Sequence, residues 1–328
     1  MRPPVWIFLE GGGKTSRPRA LWRLLLQFVL WQILAGIFAG ILFVSWRAAG
    51  GGGIGLSLVG FVANLPAVLV SVWLSGRFFD RRRFEDFGFH LRRRWLYDLL
   101  FGLALGAALI SGVFAVEDAL GWVKVRGTLE SLLPGLPFAT ALLPVLVLYL
   151  CVGIYEETFS RGYQLRNLAE GLNLPFIGER GAVVAAWVLS SAFFGLLHLF
   201  NPNATAVSAA NVALAGLLLG TGYVLTGELA IPIGIHITWN IFEGVVYGLP
   251  VSGTSPVGAV FFASRERGPD VWTGGAFGPE GGLLVTAAVL VGMVITAGWV
   301  KLSRGRLGIR EELARRPGED GAKSDRMR

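Results

Sequence analysis

Long apolar runs dominate the pattern of hydrophobic and polar positions along this chain. A helix needs about 20 apolar residues in succession to cross the hydrocarbon core of a bilayer. Segments of roughly that length lie near Leu21–Trp46, Ile54–Ser75, Trp95–Val116, Phe138–Phe159, Ala182–Phe200, Val207–Thr226, Leu229–Leu249 and Gly282–Val300. The pattern therefore predicts an all-α fold: a polytopic membrane helix bundle with about eight transmembrane helices.

The composition supports the same class. Hydrophobic residues make up 53% of the chain and charged residues only 16%, and the mean hydropathy is +0.60. An average soluble domain has about 25% charged residues. We expect a cytoplasmic N-terminal segment at 1–20, an integral membrane domain at 21–303, and a basic cytoplasmic tail at 304–328. The tail is predicted to be disordered because it is short, polar and highly charged.

The basic residues predict the orientation of the bundle. An even number of crossings places both termini on the same side of the membrane, and 24 of the 29 Lys and Arg residues fall on that side. Basic residues in short loops are retained in the cytoplasm. Both termini are therefore predicted to be cytoplasmic.

The net charge of +7 does not indicate nucleic-acid binding. The basic residues flank the apolar segments instead of forming one continuous patch, as is typical of contacts with a lipid bilayer. The single cysteine, Cys151, excludes an internal disulfide and a cysteine-rich metal site. In an apolar helix we expect it to be a packing residue.

Polar side chains interrupt three of the apolar segments. An ionisable group at the centre of a membrane helix costs about 3 kcal/mol on insertion scales, so such groups usually serve chemistry or transport. The candidates are Glu156, Glu157, Arg161, His198, His236 and Asn240.

Helix geometry separates the two adjacent carboxylates. Glu157 and Arg161 are four residues apart and can pair on one face, whereas Glu156 points about 100° away. A carboxylate in a poorly solvated pocket is suited to accept a proton from water. Glu156 is the predicted base and Glu157 its supporting partner. The alternative is a purely structural Glu–Arg pair at a helix end.

The two histidines in apolar segments extend this candidate site. A single histidine of this kind is usually a packing residue, but here Asn240 follows His236 by one helical turn and can act on the same oxygen atom. A base, a polarising group and oxyanion donors are the parts needed to hydrolyse a peptide bond. Neither Gly-x-Ser-x-Gly nor His-Glu-x-x-His occurs, which favours a water nucleophile.

A metal-dependent variant of this chemistry stays open. His198, His236 and Glu156 carry nitrogen and oxygen donors that suit a divalent metal such as zinc with an open position for water. The residue types alone do not choose between a metal and a metal-free site.

The motifs Glu-Glu-x-x-x-Arg at 156–161, Phe-x-x-x-His at 194–198 and His-x-x-x-Asn at 236–240 occur in this order on successive segments. In this the chain resembles the CAAX-protease and bacteriocin-processing (CPBP) intramembrane endopeptidases, a family that includes Rce1-like and Abi proteins. The resemblance covers about 138–249.

The resemblance implies a role for each motif residue. Glu156 and His198 would activate water, His236 and Asn240 would stabilise the oxyanion, and Glu157 with Arg161 would shape the site. Because the family has been described both as glutamate-dependent and as metal-dependent, the metal question stays open. The expected substrate is a peptide or a membrane-associated protein, and the expected location is a bacterial plasma membrane.

Two other function classes are weighed against the protease. A non-catalytic scaffold or a bacteriocin self-immunity protein would keep the fold without turnover. A transporter would place a matching polar cluster in its other half, yet the first three segments carry almost no ionisable residues.

The motifs must also meet at one depth. Glu156 and His198 are level only if the turn between their helices is centred near residue 177, where Pro175–Gly178 lies. The fourth helix is therefore expected to continue past Arg161 through Leu168. The fifth is expected to stop below the outer surface, so that Asn201, Pro202 and Asn203 line a polar cavity.

Overall fold

The fold was obtained as a computed structural model, which describes residues 9–10, 16–51 and 55–317. Its core is a bundle of apolar helices, which confirms the predicted fold class. The principal helices are α1 (Ala20–Ala48), α2 (Gly55–Ser75), α3 (Arg93–Ala119), α4 (Phe138–Glu157), α5 (Arg166–Leu172), α6 (Gly178–Leu197), α7 (Ala206–Thr226), α8 (Ala230–Asn240), α9 (Asp270–Thr273) and α10 (Leu283–Arg304).

Seven helical spans in the described ranges are long and apolar enough to cross a membrane. The eighth predicted segment is also helical but shorter, at Ala230–Val246. Nearly every residue of α8 is buried, which fits a helix that is hydrophobic on all sides. It packs so closely against α3 that a Cβ added at Gly102 would overlap the Ile231 carbonyl oxygen. Small residues allow this approach.

The helix that carries the Glu-Glu motif is unusually long. A π-helical stretch at Thr158–Leu165 joins α4 to α5, and together they make one helical span over Phe138–Leu172. The predicted continuation past Arg161 is therefore confirmed. The turn to α6 also lies where it was expected, and Gly178 occupies the left-handed region there with φ of 70°, a conformation that suits glycine.

Two short sheets were not anticipated from the sequence. At the end of the bundle away from the termini, β3 (Val123–Ser131) pairs antiparallel with β4 (Ala259–Glu266), from Val123 opposite Glu266 to Ser131 opposite Ala259. A second pair, β1 (Leu9–Glu10) with β2 (Arg17–Pro18), precedes α1. The β3–β4 sheet ties the connection after α3 to the connection after α8.

A buried ionic cluster holds the opposite end of the bundle together. The Glu170 carboxylate accepts hydrogen bonds from Arg17 Nη2 at 2.6 Å, Arg23 Nη1 at 3.1 Å and Arg82 Nε at 3.0 Å. Arg23 also donates to Asp80 Oδ1 at 2.9 Å. Arg17 precedes α1 and Arg23 lies in its first turns, Asp80 and Arg82 lie at and just after the end of the α2 span, and Glu170 lies in α5, so the cluster joins three helices.

Part of the segment that was predicted to be a disordered tail packs against this same end. The Arg310 amide donates to the Val224 carbonyl at 2.8 Å, and Asn173 Nδ2 donates to the Ala314 carbonyl at 3.1 Å. Leu313 and Ala314 are buried. The prediction does not hold for these residues, because two apolar side chains find a site between helices. Residues 318–328 lie outside the described part of the chain, as do 1–8 and 11–15.

Candidate active site

The three motifs meet at one cavity. Glu156, His198, His236 and Asn240 all line a space of about 650 Å³ between α4, α6 and α8. Glu157 and Arg161 do not line it and lie behind it, with 0% and 1% of their side chains exposed. The structure thus brings all six predicted residues to one place, in two layers.

The end of α4 separates its two carboxylates as the helical offset predicts. The side chain of Glu156 is 22% exposed and faces the cavity, whereas that of Glu157 is fully buried. Tyr155 Oη lies 3.4 Å from Glu156 Oε1, a long hydrogen bond. Among the described residues that line the cavity, Glu156 is the one with a carboxylate.

Glu157 is the centre of the inner layer. Its Oε1 accepts a hydrogen bond from Arg161 Nη1 at 2.8 Å, which confirms the predicted pair, and lies 2.7 Å from His236 Nδ1. A carboxylate this close favours the tautomer in which Nδ1 carries the proton. His236 Nε2 then points to the cavity, 3.8 Å from Glu156 Oε2. From the sequence, His236 was paired only with Asn240. The contact between His236 and Glu157 was not predicted, because the two residues are 79 positions apart in the chain.

Arg161 joins the inner layer to neighbouring helices. Its Nη2 donates to the Gly216 carbonyl of α7 at 3.1 Å, and its guanidinium carbon lies 4.5 Å from the centre of the Phe194 ring of α6. The Phe194 ring in turn lies 4.6 Å from the ring of His198 and 6.3 Å from that of His236. Phe194 of the second motif thus packs against Arg161 and both histidines. From the sequence, the only signal for Phe194 was its place in the motif.

His198 sits where α6 ends. Its Nδ1 lies 2.7 Å from the Phe194 carbonyl oxygen one turn earlier, so a protonated Nδ1 leaves Nε2 for the cavity. The helix tightens over His198–Phe200 and then stops. As predicted, Asn201 lines the cavity. Asn203 instead donates to the Ala276 carbonyl at 3.3 Å, away from the cavity lining.

Two of the three motif-bearing helices, α4 and α8, change their winding next to the site. The π-helical stretch Thr158–Leu165 begins directly after Glu157, and a second one at Ile241–Val246 begins directly after Asn240. Such stretches add a residue per turn and occur often at functional sites. Here they rotate the rest of each helix relative to the motif residues.

The cavity wall is largely apolar and aromatic. Trp31, Phe61, Tyr149, Tyr155 and Phe159 contribute rings to it. The Trp31 indole donates to Asn64 Oδ1 at 2.9 Å, which links α1 to α2 at the wall. The sequence did not single out Trp31 or Asn64. The polar side chain of Asn64 within an apolar segment was a signal from which its place in the cavity wall could have been predicted.

The predicted metal ligands are not arranged as a ligand set. In residues 9–10, 16–51 and 55–317, no three His, Cys, Asp or Glu side chains are grouped to hold a metal ion. Glu156 Oε2 and His236 Nε2 lie 3.8 Å apart, and no third such side chain in the described ranges is grouped with them. The Nδ1 contact of His198 with a backbone carbonyl leaves its Nε2 for the cavity, and a metal role for His198, His236 and Glu156 stays a prediction. Cys151 is buried and not among the cavity-lining residues.

A comparison with protein families agrees with this arrangement. Residues 138–242 match the family model described as type II CAAX prenyl endopeptidase Rce1-like. The match spans α4 to the start of the second π-helical stretch and contains all six candidate residues. No curated protein and no solved structure matches the chain. The chain is an integral membrane protein, and its residues 138–242 are similar to the Rce1-like CAAX prenyl endopeptidases, the family that the three motifs indicated.

Proposed function

We propose that this protein is an intramembrane endopeptidase that hydrolyses a peptide bond of a peptide or a membrane-associated protein with water activated by Glu156. One observation carries the proposal. The carboxylate of Glu156, the imidazoles of His198 and His236 and the carboxamide of Asn240, which come from three separate helices, line the same cavity. A packing role for each residue alone would not require this convergence.

Glu156 is proposed as the general base. It takes a proton from a water molecule while the water oxygen forms a bond to the carbonyl carbon of the substrate. When the carbon–nitrogen bond breaks, Glu156 returns the proton to the leaving amine. The position of Glu156 supports this role, since its side chain is 22% exposed, reaches the cavity and has no arginine partner among the described residues.

His198 and Asn240 complete the proposed chemistry. His198 presents Nε2 to the cavity and orients the attacking water. The Asn240 carboxamide donates a hydrogen bond to the oxyanion that forms on the substrate carbonyl, an interaction worth several kcal/mol where water is excluded. Asn240 is only 5% exposed, which keeps that donor in a poorly solvated place.

Glu157 and Arg161 are proposed to position His236. The hydrogen bond at Nδ1 holds the ring so that Nε2 faces Glu156. When Nε2 also carries a proton, His236 becomes a second donor for the oxyanion. The buried Arg161 balances the charge of Glu157, and neither of these two side chains lines the cavity.

The test is cleavage of a quenched peptide library by the detergent-purified protein. Glu156→Gln keeps the shape of the side chain but removes the base, so activity should fall by about 10²- to 10⁴-fold. His198→Ala should also lose activity. Glu130→Gln removes an exposed carboxylate of β3 and serves as the matched control, with unchanged activity. A folded wild-type protein that cleaves nothing in the library would instead favour the scaffold or immunity role.

A further inference from the structure

The cavity is reached from one end of the bundle. Every loop residue that lines it belongs to the end that carries the β3–β4 sheet. These residues are Leu132 and Leu133 before α4, Asn201 after α6, and Val251, Ser252, Thr254, Pro256, Val257 and Gly258 before β4. Thr254 and Leu132 are exposed and form the rim of the cavity.

The other end of the bundle contributes no loop residue to the described lining. The turns at 81–92, 173–177 and 227–229 are all absent from it. That end is closed by the cluster of arginines around Glu170 and by the packed segment that contains Leu313. A polar substrate therefore enters from the β3–β4 end.

The distribution of charge indicates where that end lies. The loops on the β3–β4 side hold only five basic residues, and these are Arg47, Lys124, Arg126, Arg265 and Arg267. The other 24 of the 29 Lys and Arg residues belong to the side of the termini and are the expected cytoplasmic retention signal. The mouth of the cavity thus faces away from the cytoplasm.

We propose that this protease acts on extracytoplasmic substrates: an exported peptide, or a segment of a membrane protein that emerges on the outer side. The proposal rests on the proposed function. A protein that stays in the cytoplasm could not bring its polar backbone to Glu156, because the bilayer core and the closed end of the bundle intervene.

The wall of the cavity adds a preference to this substrate class. Rings of Trp31, Phe61 and Tyr149 surround the catalytic groups, and Phe61 is 42% exposed on α2. Glu156 and the histidines are the only ionisable groups in the described lining apart from two tyrosines. We therefore expect apolar residues next to the bond that is cleaved, and slow cleavage where charged residues flank it.

Labelling with a membrane-impermeant maleimide tests the side independently of activity. In a Cys151→Ser background, Thr254→Cys marks the rim of the cavity, and Phe176→Cys marks the turn between α5 and α6, where Phe176 is 83% exposed. In intact bacterial cells, Thr254→Cys should be labelled and Phe176→Cys should be labelled only after permeabilisation. Cys151→Ser alone is the blank. The reverse pattern would overturn the proposal.

Cleavage in sealed vesicles tests the substrate class. A quenched, membrane-impermeant apolar peptide library is offered from the outside to right-side-out and to inverted vesicles that contain the wild-type protein. Cleavage only by right-side-out vesicles is expected. Cleavage only by inverted vesicles would refute the extracytoplasmic site and leave the protease standing. Cleavage by neither, with Thr254→Cys labelled from outside, would refute the protease and its substrate class, while the orientation would stand.

Discussion

Two carboxylates on one long helical span have opposite surroundings. Glu170, near the end of the span, receives hydrogen bonds from three arginines and is buried. Glu156, fourteen residues earlier, faces a cavity and has no arginine partner in the part of the chain that the structure describes. A carboxylate whose acceptors are saturated by cations is a poor base, whereas one with a free face in a poorly solvated cavity can take a proton. The same side chain is thus structural at one end and proposed to be catalytic at the other.

Exchanging each carboxylate for its amide should separate stability from activity. Glu156→Gln should lose about 10²- to 10⁴-fold in activity and keep the thermal midpoint of the wild type. Glu170→Gln should destabilise the protein by about 3–5 kcal/mol, because three buried arginines lose their common partner. Thermal unfolding followed by tryptophan fluorescence, beside peptide cleavage, measures both.

The control for Glu170 is an exposed pair of the same chemistry. Glu85 and Arg83 form a salt bridge at 3.0 Å with both side chains well exposed. Glu85→Gln should change stability by no more than about 1 kcal/mol. If Glu170→Gln unfolded at the same temperature as Glu85→Gln, the proposed contrast between the two ends of the helix would fail.

Glu157 lies between these extremes, since it is buried and paired yet also holds His236. Glu157→Gln should reduce activity by about 10- to 100-fold, as expected for the loss of a partner that orients a histidine. It should also lower stability, because the buried Arg161 loses the carboxylate that balances its charge and keeps neutral acceptors such as the Gly216 carbonyl. An additional Arg161→Gln change should recover part of the stability and none of the activity. Full activity in Glu157→Gln would show that His236 needs no orientation.

A change at Phe194 tests how much its packing against Arg161 and the histidines contributes to activity. Phe194→Leu removes a ring that contacts Arg161 and both histidines, and a cation–π contact of this kind is worth about 0.5–2 kcal/mol. We expect a loss of activity of up to about tenfold and a slightly lower thermal midpoint. Phe200→Leu is the matched control, because Phe200 is 88% exposed. Equal effects of the two changes would remove the special role of Phe194.

The smallest effect is expected for a third carboxylate, Glu266, which lies in the β3–β4 sheet. Burial raises the pKa of Glu266 to about 7, against a hydrogen bond from the Gly275 amide that lowers it. The folded state therefore favours the protonated form of Glu266. The stability of the protein should decrease as the pH rises from about 4.5 to 7, and it should level off above pH 7. Glu266→Gln should flatten this decrease in thermal midpoint, and Glu130→Gln should not. An unchanged slope in Glu266→Gln would assign the pH dependence to other groups.

Much of the fold followed from the sequence because its signals are local. The apolar runs predicted eight helical segments, of which the structure shows seven as membrane-length spans and one as a shorter helix, and the four-residue spacing predicted the Glu157–Arg161 pair. The β3–β4 sheet was not predicted, since its strands are far apart in the chain and lie between stronger helical signals. The packed segment around Leu313 was missed because its composition is that of a solvated tail.

The sequence by itself determined which residues are the candidates for the proposed chemistry and that they lie in apolar helices, because composition and short-range spacing decide both. Only the tertiary structure decided that Glu157 holds His236, that Phe194 joins Arg161 to the histidines, and that the cavity opens toward the β3–β4 end. These contacts join helices that are distant in the chain. Their geometry depends on how close the helices pack and on where the π-helical stretches rotate them, and no local pattern encodes either.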